Sequence, residues 1–252
     1  MRVLLYGMQS SGASLVTFYL GQAPRSVALV DVWVRHLTPA LRGDGADHLI
    51  AKCTISTQYD FEEHVRSFRP DRTVLVLRHP VQNYASLHNK DYIAEGGPID
   101  EKFAKLELAF RNRDRFDLTL AYEEFVRDTA FTVESFRSVG IPAEPEYYAF
   151  RRSTKKIKAF NFAHEPWCQQ RFGFGWGFGN VQGSQLNPAK LYRPVAPELE
   201  ERARALCPTL CAHYDEHFAD LAASPEEPAE SSASPRPRGL GGYVGQLFAR
   251  LG

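Results

Sequence analysis

The sequence predicts an α/β fold: a single domain with a central parallel sheet flanked by helices, plus a disordered C-terminal tail. Three observations lead there. Short apolar runs of the kind that fill buried parallel strands alternate with stretches of helical spacing along the first 140 residues. A Gly/Ser-rich loop joins the first run to the first helical stretch, and the composition turns to Pro, Ser and Glu after residue 222. Residues 1–222 are therefore assigned to the domain and 223–252 to a linker and short tail.

The strands are read, in order, at "RVLLY" (Arg2 to Tyr6), "SVALVDVWV" (Ser26 to Val34), "HLIAKC" (His48 to Cys53), "RTVLVLRH" (Arg72 to His79) and "FDLTLAY" (Phe116 to Tyr122). Each is a run of β-branched and large apolar residues of strand length. The first helix is read in "ASLVTFYL", where Leu15, Phe18 and Tyr19 fall at helical spacing. Further helices are read at Val32 to Leu41, Phe61 to Phe68, Val81 to Lys90, Asp100 to Phe116 and Glu123 to Val139, the last stopped by "GIP" at Gly140 to Pro142. Strands alternating with helices imply parallel pairing, and ligands of such sheets sit at the carboxyl ends of the strands.

A charged, Leu- and Ala-bearing stretch from Glu198 to Ala222 reads as a C-terminal helix interrupted or kinked at Pro208. Cys207, Cys211, His213 and His217 lie on it as two i, i+4 pairs, but Cys211 and His213 point roughly 200° apart. Buried thiols with surface histidines are therefore preferred over a structural zinc site, and no metal is assigned. "SPEEPAESSASPRPRG" lacks apolar periodicity and is expected to be disordered. The final "GLGGYVGQLFARLG" offers Tyr243, Leu247, Phe248 and Leu251 as an amphipathic turn for docking on a partner, against glycines that favour an unstructured tail.

Composition narrows the function classes. Of 252 residues, 44% are hydrophobic, and 30 Lys and Arg balance 30 Asp and Glu, so no overall field draws the chain to nucleic acid or to an anionic membrane. Any anion site must be local. The absence of a secretory leader pattern and of an 18-residue apolar run, with four scattered cysteines, gives the expectation of a cytoplasmic protein without a membrane span.

The local site is sought in "GMQSSGAS", Gly7 to Ser14. Its spacing is that of the phosphate loop G-x-x-x-x-G-K-S/T, but Ala13 stands where the lysine would reach the β- and γ-phosphates. Gly7 and Gly12 permit a tight turn, and small Ser10, Ser11 and Ala13 let N–H groups at a helix N-terminus approach an anion. The alternative is a Gly/Ser-rich turn that binds nothing. The fourth run ends in "RHPVQNYASLHNK", with Arg78 at its carboxyl end, Pro80 opening the next helix and Ser86 eight residues beyond Arg78.

On these residues the chain resembles the sulfotransferases that use 3′-phosphoadenosine 5′-phosphosulfate (PAPS). In that family a Gly/Ser-rich loop holds the 5′-phosphosulfate, and an Arg and a Ser eight residues on hold the 3′-phosphate. The resemblance implies these roles for Gly7, Ser10, Ser11, Gly12, Ala13 and Ser14, and for Arg78 with Ser86. It also implies that neither the Walker lysine nor a metal is required. The family's loop carries Lys or Arg two residues before its glycine, whereas Ser10 occupies that place here. "LTLAYEEFVRD" followed by "FRSVGIP" is similar to a family strand and Tyr-Glu turn, which implies that Tyr122 lies near the adenine. "QQRFGFGWGFGNVQGS" faintly resembles the family's last donor segment, with Arg171 supplying charge for a phosphate.

The resemblance further implies sulfuryl transfer from PAPS to a hydroxyl or amine, leaving adenosine 3′,5′-bisphosphate, with a small molecule or carbohydrate as acceptor. The base is not settled. The family's Lys-Thr-His phrase is represented by "AKCTIST", with Lys52 kept and the histidine lost. Other branches use a carboxylate after the second strand, where Asp31 stands, with His36 one turn on; Lys52 is also a candidate for the missing loop cation. The alternative function is a catalytically inactive module that binds PAPS or its product and acts in regulation or interaction. A phosphate-loop kinase is disfavoured, because both the Walker lysine and a magnesium carboxylate pattern are missing.

Overall fold

A computed structural model of the chain describes residues 1–29, 37–38, 46–151 and 191–219. Five strands form one sheet: β1 (Arg2–Gly7), β2 (Ser26–Leu29), β3 (His48–Thr54), β4 (Arg72–Leu77) and β5 (Leu118–Ala121). Every adjacent pair is parallel and the order is β2-β3-β1-β4-β5. The fold is α/β with helices on both faces. From β1 the chain passes left to β2, while from β4 it passes right to β5, so the direction of connection reverses between β1 and β4. A crevice opens at the carboxyl ends of such a strand pair, and it is the preferred ligand position of this architecture.

The strands are mainly apolar because both faces are covered. On one face Leu4, Tyr6, Cys53, Leu75 and Leu77 pack with Phe68, Phe103, Leu210 and Tyr214. On the other, Val3, Leu5, Ile50, Val74, Val76 and Leu120 pack with Val16, Tyr19 and Phe136. Alternate residues of one strand feed alternate cores, as the two-residue side-chain period dictates. At the crevice, a Cβ on Gly7 would lie 2.9 Å from the Val76 carbonyl oxygen. Glycine there lets β1 and β4 run together to their ends.

The helices are α1 (Ala13–Leu20), α2 (Phe61–Phe68), α3 (Pro80–His88), α4 (Ile99–Arg111), α5 (Tyr122–Arg127), α6 (Thr129–Ser138), α7 (Pro197–Leu206) and α8 (Pro208–His217). Short 3₁₀ turns occupy Arg113–Arg115 and Pro145–Ala149. Helix α2 matches the sequence expectation at both ends. It is opened by the Asp60 N–H bonding Glu63 Oε2 at 2.8 Å. Leu20, Phe18 and Tyr19 fix α1 on the sheet, and Pro80 opens α3 at a position where no N–H is needed.

Several boundaries differ from the sequence expectation. The helix read over 123–139 is two helices, because Asp128 leaves the helical conformation and its Oδ1 accepts the Phe131 N–H at 2.8 Å, capping α6. The helix read to Phe116 ends at Arg111, where Asn112 passes the chain into the 3₁₀ turn. The last strand is shorter, since Tyr122 already opens α5. The C-terminal helix is interrupted at Cys207, with Pro208 starting α8, one of the two forms the sequence allows. The strand at Ser26 is described to Leu29; its extension to Val34 and the tail 223–252 lie outside the described residues, as does the helix over 32–41 apart from 37–38, which are not helical. Among the described residues no helix is long and apolar enough to cross a membrane.

Asp128→Ala removes an N-cap acceptor and is expected to lower stability by about 1 kcal/mol, with Asp128→Asn near the parent. Denaturant unfolding of the three chains measures this.

Candidate functional site

The Gly7 to Ser14 loop leaves β1 at the crevice and enters α1. Two residues take left-handed backbone conformations, Ser10 at φ 61° and Gly12 at φ 84°. Gly12 is required there for a second reason: a Cβ would lie 2.2 Å from the Tyr122 ring, which covers the loop. The Ser11 N–H bonds back to the Met8 carbonyl at 3.3 Å, and the Gly12 carbonyl accepts the Leu15 and Val16 N–H groups at 2.8 and 3.1 Å. Among the described residues, the N–H groups of Ser10 and Gly12 meet no acceptor. Ala13 is buried in the core beside Gly7, so its side chain turns inward and away from the crevice. Ser14 opens the exposed side of α1.

Three side chains hold the loop from the β4 side. Arg78 follows β4 and its Nη1 donates to the Ser10 carbonyl at 2.9 Å. Asn83 of α3 donates through Nδ2 to the Gln9 carbonyl at 2.7 Å. Lys102 of α4 donates through Nζ to Gln9 Oε1 at 2.8 Å. Drawing the Gln9 and Ser10 carbonyls toward these donors leaves the trans peptide N–H of Ser10 pointing the other way. The result is a short nest of N–H groups at a helix N-terminus, suited to an anion.

Arg78 is more than a staple. Its guanidinium lies 5.8 Å from the Tyr122 ring centroid, and its Nε is buried without a hydrogen-bond partner among the described residues. Burial lowers its pKa, while the Glu123 carboxylate opposes that fall. A buried guanidinium N–H without an acceptor is costly and points to a polar group outside the chain. Ser86 sits half-buried in α3 with its hydroxyl unbonded among the described residues. The structure thus brings the loop, Arg78 and Tyr122 together, with Ser86 two turns along α3.

Glu123 is fully buried. Its Oε1 accepts the His79 N–H at 3.0 Å and its Oε2 accepts the Tyr214 hydroxyl at 3.0 Å. Burial raises its pKa, and the His79 N–H, the Arg78 charge and the Tyr214 hydroxyl pull it back. Through this carboxylate, α8 fixes the residue next to Arg78. In the sequence Glu123 belongs to the Tyr-Glu turn, with nothing to mark it as buried or to pair it with Tyr214. Gln9, Asn83, Lys102 and His79 were also missed, because nothing in their spacing separates them from surface residues of amphipathic helices and loops.

Lys52 lies in β3 opposite Leu5, buried on the α1 face of the sheet, one strand away from the crevice. Asp31, His36 and Arg171 lie outside the described residues. Cys207 and Cys211 are buried, with Cys207 Sγ donating to the Phe103 carbonyl at 3.3 Å, while His217 is exposed. The thiols and His217 are placed as read from the sequence, whereas His213 is half-buried beside Phe110.

No protein-family model and no curated protein sequence matches the chain. Among solved structures, the chain is similar to the crystal structure of mouse sulfotransferase SULT7A1 complexed with PAP. The TM-score is 0.41 at 10% identity, covering 88% of each chain. A likeness of that size carries no argument about the site.

Two buried histidines set an acid limit on the fold. Burial lowers the pKa of His79 and of His64 to about 4 each. Thr38 donates its N–H to His64 Nδ1 at 3.2 Å, which holds that ring neutral. The unfolded chain takes up these protons near pH 6.5, so stability is fully present above that value and is lost as pH falls toward 4. Denaturant unfolding at pH 7 and pH 5 is expected to differ by roughly 2 kcal/mol per histidine. His64→Gln is expected to flatten part of that slope.

Proposed function

We propose that the chain is a PAPS-dependent sulfotransferase that moves a sulfuryl group to a hydroxyl or amine of a small-molecule or carbohydrate acceptor. The observation that carries the reading is Arg78: a half-buried cation whose Nε has no partner among the described residues, tied to the phosphate-type loop where the sheet's connections reverse. Phosphate on both sides of an adenosine suits two anion sites so close together. A nucleoside triphosphate would need a lysine at position 13, where Ala13 is buried.

In this reading the N–H groups of the Gly7 to Ser14 loop hold the 5′-phosphosulfate. Arg78 and Ser86 hold the 3′-phosphate, and Tyr122 covers the loop beside the adenine. Arg171 adds charge from the Gly/aromatic segment. The bound donor supplies an activated sulfuryl group whose leaving group is a phosphate. What the chain contributes is positioning and compensation of spreading charge by fixed N–H donors and cations, without reorganisation. A base must take the acceptor's proton. Asp31 is the first candidate, followed by His36, with Lys52 as a further cation or base.

The working unit is 1–222, with 223–252 as a Pro/Ser/Glu-rich linker and short tail, in a cytoplasmic protein. A second reading, a non-catalytic module that binds PAPS or adenosine 3′,5′-bisphosphate, is favoured by one observation. Neither Ser10 nor Ala13 places a cation in the loop itself.

Labelled PAPS offered with an acceptor panel and read by mass spectrometry tests the first reading; tight bisphosphate binding without transfer to any acceptor establishes the module. Arg78→Ala is expected to weaken adenosine 3′,5′-bisphosphate about thirtyfold and adenosine 5′-phosphate much less, measured by calorimetry. Asp31→Asn is expected to lower turnover roughly a hundredfold to ten-thousandfold while leaving bisphosphate affinity near the parent's. A large loss in His36→Ala with Asp31→Asn unaffected moves the base to His36.

A further inference from the structure

Lys102 is fully buried in the first turns of α4. Its Nζ donates to three neutral oxygens: Gln9 Oε1 at 2.8 Å, the Ile93 carbonyl at 2.7 Å and the Glu95 carbonyl at 2.9 Å. Every donor of the ammonium is therefore used, and none meets a carboxylate. The position is doubly unfavourable for a cation, being both desolvated and close to a helix N-terminus, where the peptide dipoles already present positive charge. Carbonyl dipoles offset part of this cost, and an anion nearby would offset more.

The three contacts converge on the phosphate-type loop and on the turn behind it. That turn is held in place by the Gly96 carbonyl, which accepts the Thr57 N–H at 2.7 Å and the Thr57 hydroxyl at 3.2 Å. Gln9 is consequently gripped twice, by Lys102 at its side chain and by Asn83 at its carbonyl. The loop itself has serine and alanine where cations were expected. Lys102 touches the loop directly, through Gln9.

We propose that Lys102 is the positioning cation of this loop: acting through Gln9, it holds the N–H nest in shape and supplies from behind the positive charge that a phosphosulfate or phosphate group requires. The inference rests on the reading of the loop as the binding site for PAPS and adenosine 3′,5′-bisphosphate. Burial also lowers the Lys102 pKa to about 8. Among the described groups on the elements around it, Asp100 is engaged by Tyr84 and Arg202, and Lys105 by Asp60. The Glu95 carboxylate is the neighbour whose charge bears on Lys102. An anion binds best while Lys102 keeps its proton, so affinity is full below pH 8 and falls as pH rises above it.

The test uses the full chain and three variants, Lys102→Met, Lys102→Arg and Gln9→Met. Without nucleotide, amide hydrogen exchange over residues 8–14 is expected to quicken about tenfold or more in Lys102→Met and Gln9→Met, with β1 unchanged. Exchange that stays at the parent rate in both overturns the positioning role. If Lys102→Met fails to fold, Gln9→Met decides this arm alone. Calorimetry with adenosine 3′,5′-bisphosphate between pH 7 and pH 9.5 is expected to show the parent losing about tenfold in affinity and Lys102→Arg keeping its own value throughout. A pH profile in Lys102→Arg as steep as the parent's assigns the titration to another group and overturns the charge role. A parent chain that binds no bisphosphate at pH 7 overturns the proposed function instead, and the exchange measurement then judges Lys102 by itself.

Discussion

A loop can offer N–H groups to an anion only when the carbonyls of the same peptides are bound elsewhere, since each trans peptide points its two polar groups in opposite directions. That constraint organises the crevice. The Ser10 carbonyl is taken by Arg78, and Gln9 is taken at its carbonyl by Asn83 and at its side chain by Lys102. These donors come from three consecutive pieces of chain: the end of β4, α3 and α4. Tyr122 closes the loop from above, and Gly12 is the only residue type that tolerates both that contact and its left-handed backbone.

The supports are themselves supported. Arg78 and His79 are set by Glu123, which receives the His79 N–H and the Tyr214 hydroxyl in the interior. The α3 helix is tied in turn to the segment after residue 190, where Gln82 and Arg193 exchange two hydrogen bonds of 2.9 and 3.1 Å. Arg78 and Lys102 both touch the loop, two cations at one place in a chain whose total charge is balanced.

The parts legible in the sequence are those with a local physical signature. Gly7 and Gly12 stood out because glycine at those spacings allows close approach and a left-handed turn, and Arg78 because a cation closes a run of four apolar residues. All five strands were found where short, mainly apolar runs stood, although the break at Asp128 was hidden by a helical pattern that continues on both sides of it. Glu123 and Lys102 were not legible as site residues. "YEEF" reads as an acidic helix start and "DEKFAKLEL" as an exposed charged face, and only the tertiary packing buries one charge from each. Lys52 was read as a candidate loop cation from its place near the end of an apolar run; it lies in β3, beside β1, and strand order of this kind cannot be deduced from strand spacing alone.

The central claim is that this loop recognises a nucleotide carrying phosphate on both the 3′ and 5′ positions, without a Walker lysine or a metal. Calorimetric titration of the parent chain with adenosine 3′,5′-bisphosphate and with ATP, each in the presence of a chelator and then of excess magnesium, addresses it most directly. The expected result is bisphosphate binding that is unchanged by magnesium and tighter than ATP in both conditions. Magnesium-dependent binding of ATP in preference to the bisphosphate would contradict the account.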